Sequence, residues 1–363
     1  MRRFIPFIVI LVLASSCARP IDRFNIRRGV NIAHWLSQSN VRGERRAAYF
    51  VEDDVKRISE WGFDHVRIPI DEEQMFSADG TKDPEAFKLL HEALDLCMKY
   101  DLRAVVDLHI LRSHYFNAEV KPLFTERAAQ EAFYECWRKI SGELKEYPTD
   151  MVAYELMNEP VADDPEDWNK IVKECHAAIR ELEKDRIILI GSNMWQSFET
   201  ASQLAIPEGD PNIILSFHYY QPMLLTHYQA SWMDLKDYRG PVHYPGEVVT
   251  SSEMADRPDT DRALSSSWTD QVYDKERFAR EFGMAAQVAK DHGILVYCGE
   301  YGCLSVESND EARYSWLSDM NEVFDSMGIA RAVWCYREGP GGFGILSGSS
   351  VEPDRRMLDC LIR

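Results

Sequence analysis

Val152-Ala153-Tyr154-Glu155-Leu156-Met157-Asn158-Glu159-Pro160 and Ile294-Leu295-Val296-Tyr297-Cys298-Gly299-Glu300-Tyr301-Gly302 decide the fold of this chain. Each is an apolar, strand-forming run that closes on a glutamate with a turn directly behind it. A carboxylate at the C-terminal end of a buried strand is poorly solvated, so it persists only where something pairs or uses it. Two of them, on strands far apart in the chain, imply a pair facing each other over one cleft. Such a pair is the minimum equipment for general acid and nucleophile chemistry at a glycosidic bond.

The same pattern extends to either side. Apolar runs at 28–32, 65–69, 104–109, 152–157, 186–191, 213–218, 294–298 and 330–335 read as eight strands. Amphipathic stretches at 51–61, from Pro84, and at 126–146, 165–183, 274–292 and 310–327 read as helices between them. Continuous rather than alternating apolar runs fit strands buried on both faces, as in a parallel sheet. A doubly wound open sheet is the competitor, but no glycine-rich phosphate turn follows the first strand. The expected fold is therefore of the α/β class, a closed (β/α)8 TIM barrel forming a single domain over residues 24–363. One connection departs from the pattern. Residues 221–270, after the sixth strand, far exceed an ordinary βα loop and carry Tyr228, Trp232, Tyr238, Tyr244 and Trp268. Loops at that end of a barrel build the cleft, so this insertion is expected to form a wall or lid.

Composition narrows the partners. Among 363 residues, 45% are hydrophobic, ample for a large core, and the net charge is −19. That charge argues against nucleic acid or an anionic membrane surface as a partner. A neutral polysaccharide or oligosaccharide suits an acidic protein with nine Trp, and no cofactor is called for. A monomer is expected.

The first residues resemble an export signal. Arg2 and Arg3 precede an apolar run from Phe4 to Leu13, and Ala14-Ser15-Ser16 leads to Cys17. The run is too short to remain as a membrane anchor. Residues 1–17 are read as a lipoprotein-type signal peptide, with Cys17 becoming the lipidated N-terminus. That would place the protein in a bacterial cell envelope and let it touch the membrane only through that lipid. An ordinary secretory signal is the alternative. The other seven cysteines have no zinc-type spacing and are expected to be free, mostly buried thiols.

Polar residues gather where the strands end: Asn31 and His34, Arg67, His109, Asn158 with Glu159, His218 with Tyr220, Glu300 and Trp334. A polar group at nearly every strand end is hard to explain as packing, because that end of a barrel is where the loops converge on substrate. In this setting Asn158-Glu159-Pro160, Gly299-Glu300-Tyr301-Gly302, Arg67 within Val66-Arg67-Ile68-Pro69, His218-Tyr219-Tyr220 and Trp334 resemble glycoside hydrolase family 5, the cellulase and mannanase family. The resemblance runs from about Arg28 to Tyr336. It implies a retaining glycosidase with Glu159 as acid/base and Glu300 as nucleophile. Arg67, Asn158, His218 and Tyr220 would support them, and Asn31, His34, His109 and Trp334 would bind substrate. For His109 and His218 a purely orienting role stays open. A β-glucan is the expected substrate, since Asn31-Ile32-Ala33-His34-Trp35-Leu36 looks like bacterial β-glucanases. β-Mannanase or exo-β-1,3-glucanase action would fit the same scaffold, as would a sugar-binding protein without catalysis. A metal site from Asp107, His109, His34 and His218 lacks the His-x-His or serial carboxylates that metal-dependent barrels use.

Overall fold

The computed structural model describes residues 20–362. The proposed signal peptide and Cys17 lie outside them. Eight parallel strands close into a barrel: β1 (Arg28–Asn31), β2 (His65–Asp71), β3 (Arg103–Ile110), β4 (Val152–Glu155), β5 (Ile188–Gly191), β6 (Ile213–Tyr219), β7 (Leu295–Tyr301) and β8 (Ala330–Val333). β8 pairs with both β7 and β1, which completes the ring. The expected TIM barrel is borne out.

Helices α1 (Glu52–Glu60), α2 (Pro84–Lys99), α3 (Arg127–Leu144), α4 (Pro165–Leu182), α5 (Lys275–His292), α6 (Asp310–Met327) and α7 (Arg355–Ile362) surround it. Local chemistry sets their ends. Asp83, Asp164 and Asp274 each accept a backbone N–H from the first turn of the helix that follows, and Pro84 and Pro165 occupy first helical positions. α5 and α6 stop at Gly293 and Gly328, both in the left-handed conformation that glycine tolerates best.

One expected strand boundary is corrected, and two connections take a form of their own. The crossover from β5 to β6 has no full helix, only the turn Asn193–Gln196 and the 3-10 segment Phe198–Gln203. β8 ends at Val333, so Cys335 belongs to the following loop and not to the strand. The insertion is an ordered lobe. Gly246–Glu247 pairs antiparallel with Val272–Tyr273, and Tyr228, Tyr238 and Tyr244 are buried inside it. Tyr244 donates to Asp319 on α6 at 2.9 Å, and Trp316 of α6 donates to the Gln221 carbonyl at 3.0 Å, fixing the lobe to the barrel wall.

The floor of the barrel is apolar. A single helical turn, Pro20–Arg23, precedes β1, and Ile21 and Phe24 pack there against Val105, Ala153, Ile187, Leu189, Ile214, Tyr297 and Ala332.

Candidate active site

Arg67 of β2 organises the opposite end. Its guanidinium is fully buried and donates in every direction: Nε to Glu155 Oε2 at 2.6 Å, Nη1 to Asn31 Oδ1 at 2.9 Å and to Glu300 Oε1 at 2.7 Å, and Nη2 to Asn158 Oδ1 at 2.9 Å. Asp107 Oδ2 lies 3.0 Å from Nη2. One buried cation thus faces three buried carboxylates, and the planar fork of arginine suits that task in a way lysine cannot.

Glu300 stands one residue before the end of β7. Beside Arg67, it accepts the phenol hydrogen of Tyr220 at 3.0 Å. Glu159 follows β4 in a left-handed conformation (φ 47°), and its Oε1 stands 3.0 Å from His218 Nδ1. That nitrogen is 3.7 Å from Glu300 Oε2. Oxygens of the two glutamates approach within 4.8 Å of each other. Both are mostly buried, with side chains 13% and 7% exposed.

This crowding separates their protonation. Burial pushes the Glu159 carboxyl well above the usual range, and the charge of Glu300 pushes it further. Burial raises Glu300 too, but Arg67 and the Tyr220 hydrogen bond pull it back. One member therefore holds a proton while the other is ionised, an acid beside a nucleophile. Asp107 is likewise driven well up by burial, against the pull of Arg67. Burial lowers His109 to about 4 and His218 well below its ordinary value, so both imidazoles are neutral near pH 7.

Of the residues named from sequence, Glu159, Glu300, Arg67, Asn158, His218 and Tyr220 converge here. Asn158 gives its oxygen to Arg67, which leaves its amide nitrogen as the group it can present. His109 hands Nδ1 to Asp107 at 2.7 Å and stacks on Trp334, ring centroids 5.6 Å apart and planes 12° apart. His34 meets the edge of Trp334 at 6.2 Å. Asn31 is a correction. Expected to touch substrate, it is fully buried, with its oxygen on Arg67 and its nitrogen on the carbonyls of Gly299, Ala332 and Val333. It positions Arg67 from beneath.

Sequence reading passed over Glu155, Ser216 and Gln196. Glu155 Oε1 accepts from Ser216 Oγ at 2.8 Å and from Gln196 Nε2 at 2.9 Å. Gln196 Oε1 accepts the backbone N–H of Glu159 at 3.0 Å, so one amide ties the Arg67 network to the Glu159 turn. Met194, Trp195 and Gln196 all have positive φ, at 58°, 59° and 54°, which turns the Gln196 side chain inward. A Cβ on Gly191 would fall 2.2 Å from Gln196 Nε2, so only glycine fits there. The signal available in sequence was a carboxylate in the middle of the apolar run 152–157.

Residues 34–339 match the family described as Cellulase (glycosyl hydrolase family 5). Over 333 residues the chain is 31% identical to cellodextrinase A of Ruminococcus flavefaciens, covering 91% of each protein. It is 30% identical to endoglucanase C of Acetivibrio thermocellus over 321 residues, covering 86% of this chain and 92% of that one. The solved structure of endoglucanase Cel5A from Thermotoga maritima superposes with a TM-score of 0.74 at 25% identity, covering 95% of this chain and 100% of that one. The barrel, the paired glutamates and these likenesses agree: the chain is a glycoside hydrolase and belongs to glycosyl hydrolase family 5.

Proposed function

We propose that the protein hydrolyses β-glucan, cellulose-like chains above all, with retention of anomeric configuration. The observation that carries this reading is the approach of Glu159 and Glu300 oxygens within 4.8 Å. Retaining glycosidases hold their carboxyls about 5–5.5 Å apart, whereas inverting ones leave about 6.5–9.5 Å for a water. Protonated Glu159 donates to the departing glycosidic oxygen. Ionised Glu300, aligned by Arg67 and Tyr220, attacks the anomeric carbon and forms a glycosyl-enzyme. Glu159 then takes a proton from water, which releases the sugar and restores Glu300. Asn158 would meet the 2-hydroxyl, and Trp334 would lie under the sugar before the scissile bond. His109, held at Nδ1 by Asp107, presents Nε2 to a sugar hydroxyl.

Proton NMR of the first product separates the alternatives. Release of the β-anomer before mutarotation is expected, and initial α-anomer would remove Glu300 from the nucleophile role. A panel of purified glucans and mannans tests the substrate.

Short cello-oligosaccharides are a second reading. A cavity of about 210 Å³ beside the loop after β8 is lined by Tyr228–Trp232 of the insertion and by Glu338–Gly342. The likeness to cellodextrinase A supports the same reading. Export as a bacterial lipoprotein acting as a monomer completes the proposal. Its support is the sequence around Cys17 and the bacterial relatives, and Cys17→Ala is expected to move the protein from the membrane to the soluble fraction.

A further inference from the structure

We propose that His34, Cys335 and Glu338 form a binding site for a thiophilic divalent cation of the zinc class, at the edge of the cleft beside Trp334. One donor atom from each side chain falls within 4.8 Å of the other two. His34 Nε2 stands 3.6 Å from Glu338 Oε1, and Cys335 Sγ stands 3.7 Å from Glu338 Oε2. In a tetrahedral site with bonds of about 2.0–2.3 Å, neighbouring imidazole, thiolate and carboxylate donors lie about 3.4–3.6 Å apart. His34 and Cys335 each stand about one such edge from a Glu338 oxygen, His34 from Oε1 and Cys335 from Oε2.

Their surroundings support the same assignment. His34 Nε2 is buried and makes no hydrogen bond, an unsatisfied donor or acceptor that a metal would satisfy. Glu338 is held in place, since its Oε2 accepts the Phe343 N–H at 2.7 Å. The neighbouring cation does not compete: the Arg337 guanidinium turns to the carbonyls of Gly348 and Ser350 at 2.9 and 2.8 Å. An open cavity of about 350 Å³, lined by His34, Tyr49 and Glu338 among others, reaches the site from solvent. Cys335 lies behind, fully buried. Three protein donors leave the fourth position toward that cavity.

The thiolate is the form of cysteine that ligates, so binding exchanges one thiol proton for one cation, giving a thiolate–metal bond and a released proton. Thiolate and carboxylate together neutralise the dication. Because His34 meets the edge of Trp334, the cation fixes His34 and withdraws it from substrate, which inhibits hydrolysis. That last consequence rests on the sugar-binding roles proposed above for His34 and Trp334.

Cadmium titration of the chelator-treated protein tests the site. One equivalent is expected to raise a thiolate-to-metal charge-transfer band in the ultraviolet and to release one proton. Cys335→Ser is expected to lose the band, and His34→Ala and Glu338→Gln to weaken binding by more than about 10-fold. Cys360→Ser, at a partly exposed thiol remote from the site, is expected to keep it. Circular dichroism checks each variant's fold, and if Cys335→Ser is unfolded the other two variants decide. An absent band in the wild type, a band that survives Cys335→Ser, or unchanged affinity in both His34→Ala and Glu338→Gln overturns the proposal. Zinc is expected to inhibit, with recovery on adding chelator. Binding without inhibition would keep the site and overturn the placement of His34 against the sugar.

Discussion

The two ends of the barrel interior are built from the same strands and could hardly differ more. At the floor, Val105, Ala153, Tyr297 and Ala332 close against Ile21 and Phe24. One inward step up, β3 and β4 present Asp107 and Glu155, and β7 carries Glu300 one residue before its end. Side chains two residues apart share a face, so the change from apolar packing to buried charge takes only about 7 Å of strand. The floor is stable because nothing in it needs water. The top is kept from collapse by one cation that satisfies several carboxylates at once, and that dependence makes it responsive chemically and fragile structurally.

Breaking the top should cost activity, and the costs should be graded. Glu300→Ala removes the nucleophile and should lower kcat by about 10⁵-fold or more. Azide should restore turnover and yield a glycosyl azide of inverted configuration. Glu159→Ala should cost about 10²–10⁴-fold on polysaccharide but far less on an aryl glycoside whose leaving group needs no proton. In that variant azide should give the retained product.

The charge coupling can be tested without turnover. Glu300→Gln removes the negative neighbour of Glu159, so the Glu159 pKa should fall toward the ordinary carboxylate range. Carbon NMR of labelled glutamate would follow it, and an unchanged titration would mean burial alone holds the proton. In the wild type, kcat/KM should be bell-shaped. It should be lost at low pH as Glu300 protonates and at high pH as Glu159 ionises, both limbs lying above ordinary carboxylate values.

Gln196→Ala should act through position. The variant keeps both glutamates but frees the Glu159 turn, so kcat should drop about 10–100-fold with a smaller change in KM. Gln196→Glu restores the length of the side chain but puts a second carboxylate against Glu155, and should not rescue. Equal loss in KM and kcat would give Gln196 a merely structural part.

The floor should answer in the opposite sense. Phe24→Ala should cost about 3–5 kcal/mol of stability, read from denaturant unfolding, while kcat measured well below the unfolding temperature stays near wild type. A large loss of kcat in the folded variant would join the two ends that the structure keeps separate.

The contrast also explains what could be read from sequence. Eight strands were legible because burial on both faces makes each a continuous apolar run. The strand-end residues were legible because polar groups stand out against such runs. Glu155 was hidden for the converse reason: it interrupts an apolar run without ending it, and only the inward register shared with Arg67, Asp107 and Ser216 reveals its purpose. Gln196 was less visible still. Its placement depends on three successive left-handed residues, and nothing in Met194-Trp195-Gln196 announces that conformation, since none is the glycine or asparagine that favours it. Asn31 was misread because a polar side chain at a strand end looks the same in sequence whether it faces substrate or the back of an arginine.

The plug at the floor has a consequence for how the enzyme would sit in its surroundings. Because Ile21 and Phe24 seal the end opposite the glutamates, the chain enters the barrel from the side facing away from the cleft. Cys17 precedes the first described residue, Pro20, by three positions, which reach about 10 Å at most. If Cys17 carries the proposed lipid, that tether leaves no slack. The barrel would rest base-down on the bilayer with its mouth turned outward, receiving glycan from the medium rather than scanning the membrane surface. Orientation would then be inherited from a few residues of floor packing.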